Sequence, residues 1–312
     1  MKLFRMFAVL LSVLCMTVSG KAFAAESDMQ VFRDAFSAAM DNAKGYHLEL
    51  MFHGPTFQSN VLADGRLGMD GSCTIGGNMS WSYTDTASGV SKDSEMPFYA
   101  ERNGNVLTLY GNRQGVWQCD NVLAGVTWLL DAVSSGDKDT KAKYAAAVSD
   151  VKVTDIRNGK ERMQITFDGK ALSDVQDKAV RDRIASMSDS DRKSAMEYLR
   201  YINAALANTN PQVTWTVDKK TGDTAVVAAN LTDILRSYAK AMLQDSYQGN
   251  ISLTPQETEF LVALGYYYEL QLYLTSSDAQ KNVNIPANVK RDAKASNLFN
   301  GIEQEVIAVV QK

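Results

Sequence analysis

The sequence predicts an α+β protein organised around an antiparallel sheet, and three observations carry that expectation. Apolar and polar residues alternate with a period of two, most clearly where Cys73, Ile75, Gly77, Met79, Trp81 and Tyr83 face Thr74, Gly76, Asn78, Ser80 and Ser82. Turn pairs such as Asp70-Gly71, Asn103-Gly104 and Asn158-Gly159 separate these runs at hairpin spacing. Between groups of strands lie stretches whose apolar residues recur three and four apart, the spacing of a helix with one buried stripe.

The first element is not expected to belong to the folded domain. Lys2 and Arg5 precede an apolar run over residues 6–18, followed by Ala22-Phe23-Ala24, which is the layout of an export signal. The run falls short of the roughly 20 residues that span a bilayer, so cleavage near Ala24 is expected. Leu14 precedes Cys15 where a lipid-attachment signal requires a small residue, so no lipid anchor is expected. Residues 25–312 are then read as one soluble periplasmic domain, monomeric, with no membrane span.

From Ser27, the spacing of Met29, Phe32, Phe36 and Met40 predicts an opening helix that stops at Gly45. Tyr46, Leu48, Leu50 and Phe52 then alternate with His47, Glu49, Met51 and His53 as a strand. Strands around residues 57–69, 73–83, 95–101, 105–110 and 115–118 continue an antiparallel meander. Leu123, Val126, Leu129 and Leu130 predict a helix, and residues 141–148 a second. Val151 and Val153 begin a hairpin completed by Met163, Ile165 and Phe167. Residues 171–207 read as a helical insertion, 171–187 first and then a run carrying Met196, Leu199, Ile202 and Leu206, ended by Pro211, and a second hairpin joins Val213, Trp215 and Val217 to residues 225–229. A further helical insertion covers residues 231–262. The segment of Tyr266, Tyr268, Leu270, Leu272 and Leu274 is expected as a long strand paired with residues 282–285, and Phe299, Ile302, Val306 and Val309 as a closing helix.

This order of elements, an export signal, a leading helix, a meander with one apolar face, interposed helices and a last strand before "NIPANVKRDA", resembles the periplasmic lipoprotein-carrier superfamily. That superfamily includes the lipoprotein-localisation carrier, mycobacterial lipid-carrying lipoproteins and the sensory domains of sigma-factor regulators. The resemblance implies a strongly curved half-barrel whose concave face is covered by helices, with acyl chains held between them. It places Ile75, Met79, Trp81, Tyr83, Met96, Phe98, Trp215, Tyr268, Leu270 and Leu272 as candidate ligand-binding residues. Where the carrier has an early Arg-Pro pair, this chain reads "GRLGMDGSCTIGGNMSWSY". The same aromatic and thioether side chains also suit an ordinary core.

Composition and motifs narrow the function classes. Without Lys2, Arg5 and Lys21 the chain has 29 Lys+Arg against 36 Asp+Glu, a net charge of −7, which disfavours nucleic-acid binding. Cys73 and Cys119 remain after the signal, and in an oxidising compartment they predict either a disulfide, worth roughly 4 kcal/mol for a loop of this length, or two separately buried thiols. His47 and His53 lie roughly 20 Å apart along one strand, too far to share a metal ion. The sequence has no nucleophile elbow, phosphate loop, dinucleotide-binding glycine pattern or zinc-binding helix. The expectation is a cell-envelope protein without catalysis or cofactor that binds a lipid or lipidated partner. The alternative is an interaction protein that docks another envelope protein through its sheet or its inserted helices.

Overall fold

The computed structural model describes residues 28–32, 45–67, 73–84, 88–103, 106–122, 146–156, 158–184, 189–221, 223–276, 283–296 and 298. The export signal expected at 1–24, most of the opening helix, the helix expected over 123–130, residues 141–145 of the helix expected over 141–148 and the closing helix lie outside those residues, and Val148 belongs to a strand rather than to that helix.

Twelve strands are described: β1 (Gly45–His53), β2 (Phe57–Leu67), β3 (Cys73–Thr84), β4 (Ser91–Asn103), β5 (Val106–Arg113), β6 (Val116–Val122), β7 (Val148–Ile156), β8 (Lys160–Phe167), β9 (Gln212–Asp218), β10 (Thr224–Asn230), β11 (Glu269–Ser276) and β12 (Lys294–Ala295). They build one curved, unclosed sheet in the order β12-β6-β5-β4-β3-β2-β1-β11-β10-β9-β8-β7. Two meanders, β1 to β6 and β7 to β11, are thus joined where β1 pairs with β11. Every neighbouring pair is antiparallel except β12 with β6.

Local chemistry explains the turns. Asn158 and Gly159 both take φ of 70°, the left-handed conformation, in the turn between the last pair of β7 and β8, Ile156 and Lys160. Gln114 (φ 53°) and Gly115 (φ 83°) do the same between β5 and β6. β2 and β3 approach closely where a Cβ on Gly77 would overlap the Leu62 carbonyl oxygen and one on Gly65 would overlap that of Thr74. Glycine at these two positions permits the close strand approach.

The described helices are residues 28–32, α1 (Gly169–Ile184), α2 (Asp189–Ala207), α3 (Thr232–Tyr247), α4 (Pro255–Tyr266) and α5 (Ala287–Asp292). Thr254 and Glu257 form a reciprocal capping box at the start of α4, with Pro255 in its first turn. The Leu270 amide donates to Thr232 Oγ1 at 3.0 Å, which ties the start of α3 to β11. Leu172, Leu199, Ile202, Leu206, Ile234, Leu235 and Leu264 are buried in one core with the apolar sheet face. The amphipathic stripe of α2 is therefore used within this chain. At the free edge of the sheet, Asp28 Oδ2 accepts from the Val153 amide at 3.1 Å and occupies a group that an incoming strand would need.

The segment after β11 differs from the expected strand pair. Residues 283–286 form no strand; β11 instead pairs with β1 and β10, because the apolar alternation of Leu270, Leu272 and Leu274 continues the rows of those strands. Tyr266 ends α4 and Tyr267 caps it, so the strand begins at Glu269. Lys290 on α5 reaches Glu101 Oε2 on β4 at 2.5 Å, and the same carboxylate accepts from the Tyr110 hydroxyl at 3.1 Å. The chain then adds β12 to the β6 edge and buries Leu298 on the apolar face beside Gly111.

The expected Cys73–Cys119 bridge is not formed. Cys119 is a free, half-buried thiol on β6, with Sγ 3.9 Å from the Ala293 carbonyl oxygen. Cys73 starts β3, and β4 and β5 lie between β3 and β6. Three strand spacings separate the backbones by about 14 Å, beyond the reach of a disulfide.

Candidate functional site

The register of the first meander places apolar side chains in rows that cross the sheet. Tyr46, Gly65, Ile75, Ala100 and Leu109 share one row; Leu48, Ala63, Gly77, Phe98 and Gly111 share the next. Leu50, Val61, Met79 and Met96 form a third, followed by Phe52, Ser59, Trp81 and Ser94 and then by Phe57, Tyr83 and Lys92. The second row holds three small residues, Ala63, Gly77 and Gly111, beside the buried Leu48 and Phe98, and Met96 and Leu298 pack against Gly111.

The second meander continues the same face. Leu50 leads through Leu272, Ala229 and Val213 to Ile165 and Val151, and Leu48 through Leu274, Val227 and Trp215 to Met163. Here the centre is tightly enclosed: Met163, Ile165 and Leu270 have no exposed surface, and Trp215 and Leu272 only 1%, while Leu274 and Val227 keep 9% and 7% and Val153 is partly buried. Each such Leu, Ile or Met stabilises the fold by roughly 1.5–3 kcal/mol relative to exposure. Phe32 meets Trp215 edge-on, with ring centroids 6.2 Å apart.

Over β1 to β5 the same face is less covered. Tyr46, Leu50, Val61, Ile75, Met79, Tyr83 and Leu109 touch the core but are only partly buried. Trp81, Met96 and Phe98 lie deeper, at 4%, 3% and 9% exposure. The ten candidate residues thus share one face but divide in environment. Ile75, Met79 and Tyr83 retain surface, whereas Trp215, Tyr268, Leu270 and Leu272 are enclosed. Tyr268 stacks on Phe52 with centroids 4.8 Å apart, and its hydroxyl meets Thr56 Oγ1 at 3.2 Å. Burial pushes its pKa up, only partly offset by that hydrogen bond.

Sequence reasoning did not single out Val61 or Leu109 for this face. The β2 segment FQSNVLADGRL shows no alternation, because Ser59, Ala63 and Gly65 occupy its inward positions. Leu50 was legible in the β1 alternation. Lys92 had no sequence signal, since its place depends on the β3–β4 register.

The opposite face is polar. His53, Gln58, Asn60, Ser80, Ser82, Asp93 and Glu95 line a shallow groove of about 530 Å³. Asn78 donates to Glu95 at 3.2 Å, and His47 Nδ1 lies 2.7 Å from Asp64 Oδ1. The two histidines point to this face, six positions apart, as the sequence expects. Among the described residues no group of three metal-ligating side chains is gathered, and no helix is long and apolar enough to cross a membrane.

No protein-family model matches the chain, and no curated protein matches it. Among solved structures it is similar to LprF from Mycobacterium bovis, at 12% identity and a TM-score of 0.40, over 84% of this chain and 97% of that one. This is a weak likeness of fold.

Proposed function

We propose that this protein is an exported cell-envelope binding protein that holds a lipid, or the acyl part of a lipidated partner, against the β1–β5 half of its apolar face, and that it acts by binding rather than by catalysis. The observation that carries this reading is the contrast within one sheet face. One half is packed to no more than 2% exposure at Met163, Ile165, Val213, Trp215 and Leu272, while Leu50, Val61, Ile75, Met79 and Leu109 on the same face are left partly uncovered.

Apolar side chains brought together but incompletely covered retain a driving force for further burial. An acyl chain supplies the missing surface at about 0.8 kcal/mol per buried CH₂. The flexible thioether of the partly buried Met79 adapts to a linear chain. The export pattern of residues 1–24 supports a setting where such ligands are met.

Native mass spectrometry and solvent extraction of protein purified from the envelope fraction test the reading. A co-purifying amphiphile near one per chain is expected, as is uptake of the neutral apolar dye N-phenyl-1-naphthylamine by the emptied protein. Protein that carries no amphiphile and does not bind the dye overturns it.

A further inference from the structure

The apolar face changes character along its strands. The rows of Ala100 and Met96 are wholly apolar, the Ser94 row carries two serines, and the last row ends in Lys92. Lys92 pairs with Tyr83 across β3 and β4, so both side chains stand on the apolar face. Its Nζ lies over the Tyr83 ring, 5.9 Å from the centroid, and it faces an aromatic ring rather than a carboxylate. Arg102 and Arg113, also on this face, are engaged in contacts of their own. From the Lys92 row to the Ala100 row is eight residues of β4, about 27 Å.

We infer that the ligand is an anionic amphiphile, with its acyl chain laid along β3 over Met79 and Ile75 and its negatively charged head group at Lys92. This rests on the binding reading above and specifies the chemical class of what is bound. A neutral amphiphile would gain the same burial but leave the ammonium facing only a ring. An anionic head at the rim pairs with that ammonium through a charge-assisted hydrogen bond, and Ser94 and Ser59 offer hydroxyl donors one row deeper. Lys92 is exposed, so the head group stays at the water boundary while the chain is buried.

Displacement of N-phenyl-1-naphthylamine from the emptied protein at pH 8 by palmitate and by 1-hexadecanol tests the inference, because the two share a chain and differ in head charge. Palmitate is expected to displace the dye at a concentration about tenfold lower than hexadecanol, and the gap should shrink with added salt. Lys92→Gln should abolish the preference and Lys92→Arg should keep it, with hexadecanol displacement unchanged in both. Equal displacement by the two lipids in the native protein, or a preference that survives Lys92→Gln, overturns the anionic-ligand inference and leaves the binding reading intact. Dye uptake with displacement by neither lipid overturns the anionic acyl ligand as well, and absence of dye uptake overturns both readings.

Discussion

Gly77 on β3 lies so close to Leu62 on β2 that a Cβ at position 77 would overlap the Leu62 carbonyl oxygen and crowd the Ala63 Cα. The contact is backbone against side chain, so it cannot be relieved by a rotamer change. Gly77→Ala should lower stability by about 2 kcal/mol, measured by urea unfolding, through separation of β2 from β3. Gly89 has open space around it but a φ of 66°, so Gly89→Ala should cost less, about 1 kcal/mol, from backbone strain alone.

The two halves of the apolar face should answer mutation differently. Leu270→Ala and Ile165→Ala remove side chains with no exposed surface and should each cost about 3 kcal/mol in denaturant unfolding. Met79→Ala and Ile75→Ala act on partly covered side chains and should cost about 1 kcal/mol or less. They should nevertheless weaken dye binding severalfold, whereas Leu270→Ala should leave the affinity of the folded protein unchanged.

Tyr110 and Tyr201 contribute stability that is lost in alkali. Burial, with the hydrogen bond to Glu101, pushes the Tyr110 pKa up to about 12. Burial, reinforced by the Asp245 carboxylate and opposed by Arg200, likewise pushes Tyr201 up to about 12. A folded-state pKa above the unfolded value of roughly 10 means stability that is complete below pH 10 and lost as pH rises towards 12. Thermal unfolding followed from pH 9 to pH 12 should show this loss, and Tyr110→Phe and Tyr201→Phe should each flatten it.

Asp245 gives the opposite sign in acid. Burial opposes its charge, but hydrogen bonds from Tyr201 and Asn250 and the contact with Arg200 outweigh burial and hold its pKa below the usual carboxylate value. Its stabilising contribution is present above about pH 4 and lost as pH falls through the lower folded-state value. The difference in thermal stability between the native protein and Asp245→Asn should therefore narrow below pH 4.

Because β4 and β5 separate Cys73 from Cys119, a reductant should leave the melting temperature unchanged. A digest made without reduction should contain no peptide joining Cys73 to Cys119, and one containing that peptide contradicts the strand order.

Most of the strands were legible because one face of each is buried, which imposes a period of two on β1, β3, β8, β9 and β11. Helices α1 to α4 were legible from their stripes and from Thr254-Pro255. Long-range pairing was not. The alternation of Leu270, Leu272 and Leu274 says that β11 has a buried face, but its position between β1 and β10 depends on contacts more than 200 residues apart in the case of β1. Cysteine count alone likewise allowed a bridge that strand order forbids. Within the candidate site, the apolar face was readable and its division into enclosed and uncovered halves was not, because Met79 and Met163 alternate in the same way and differ only in what packs above them.

Photocrosslinking with a fatty acid that carries a diazirine in mid-chain, followed by peptide mapping, tests the central claim most directly. The account predicts labels on inward residues of β1 to β5, chiefly Leu50, Val61, Ile75, Met79 and Leu109, competed away by unlabelled palmitate. Competed labels confined to the polar face, at residues such as Asn60, Ser80 or Glu95, or no specific label at all, would contradict it.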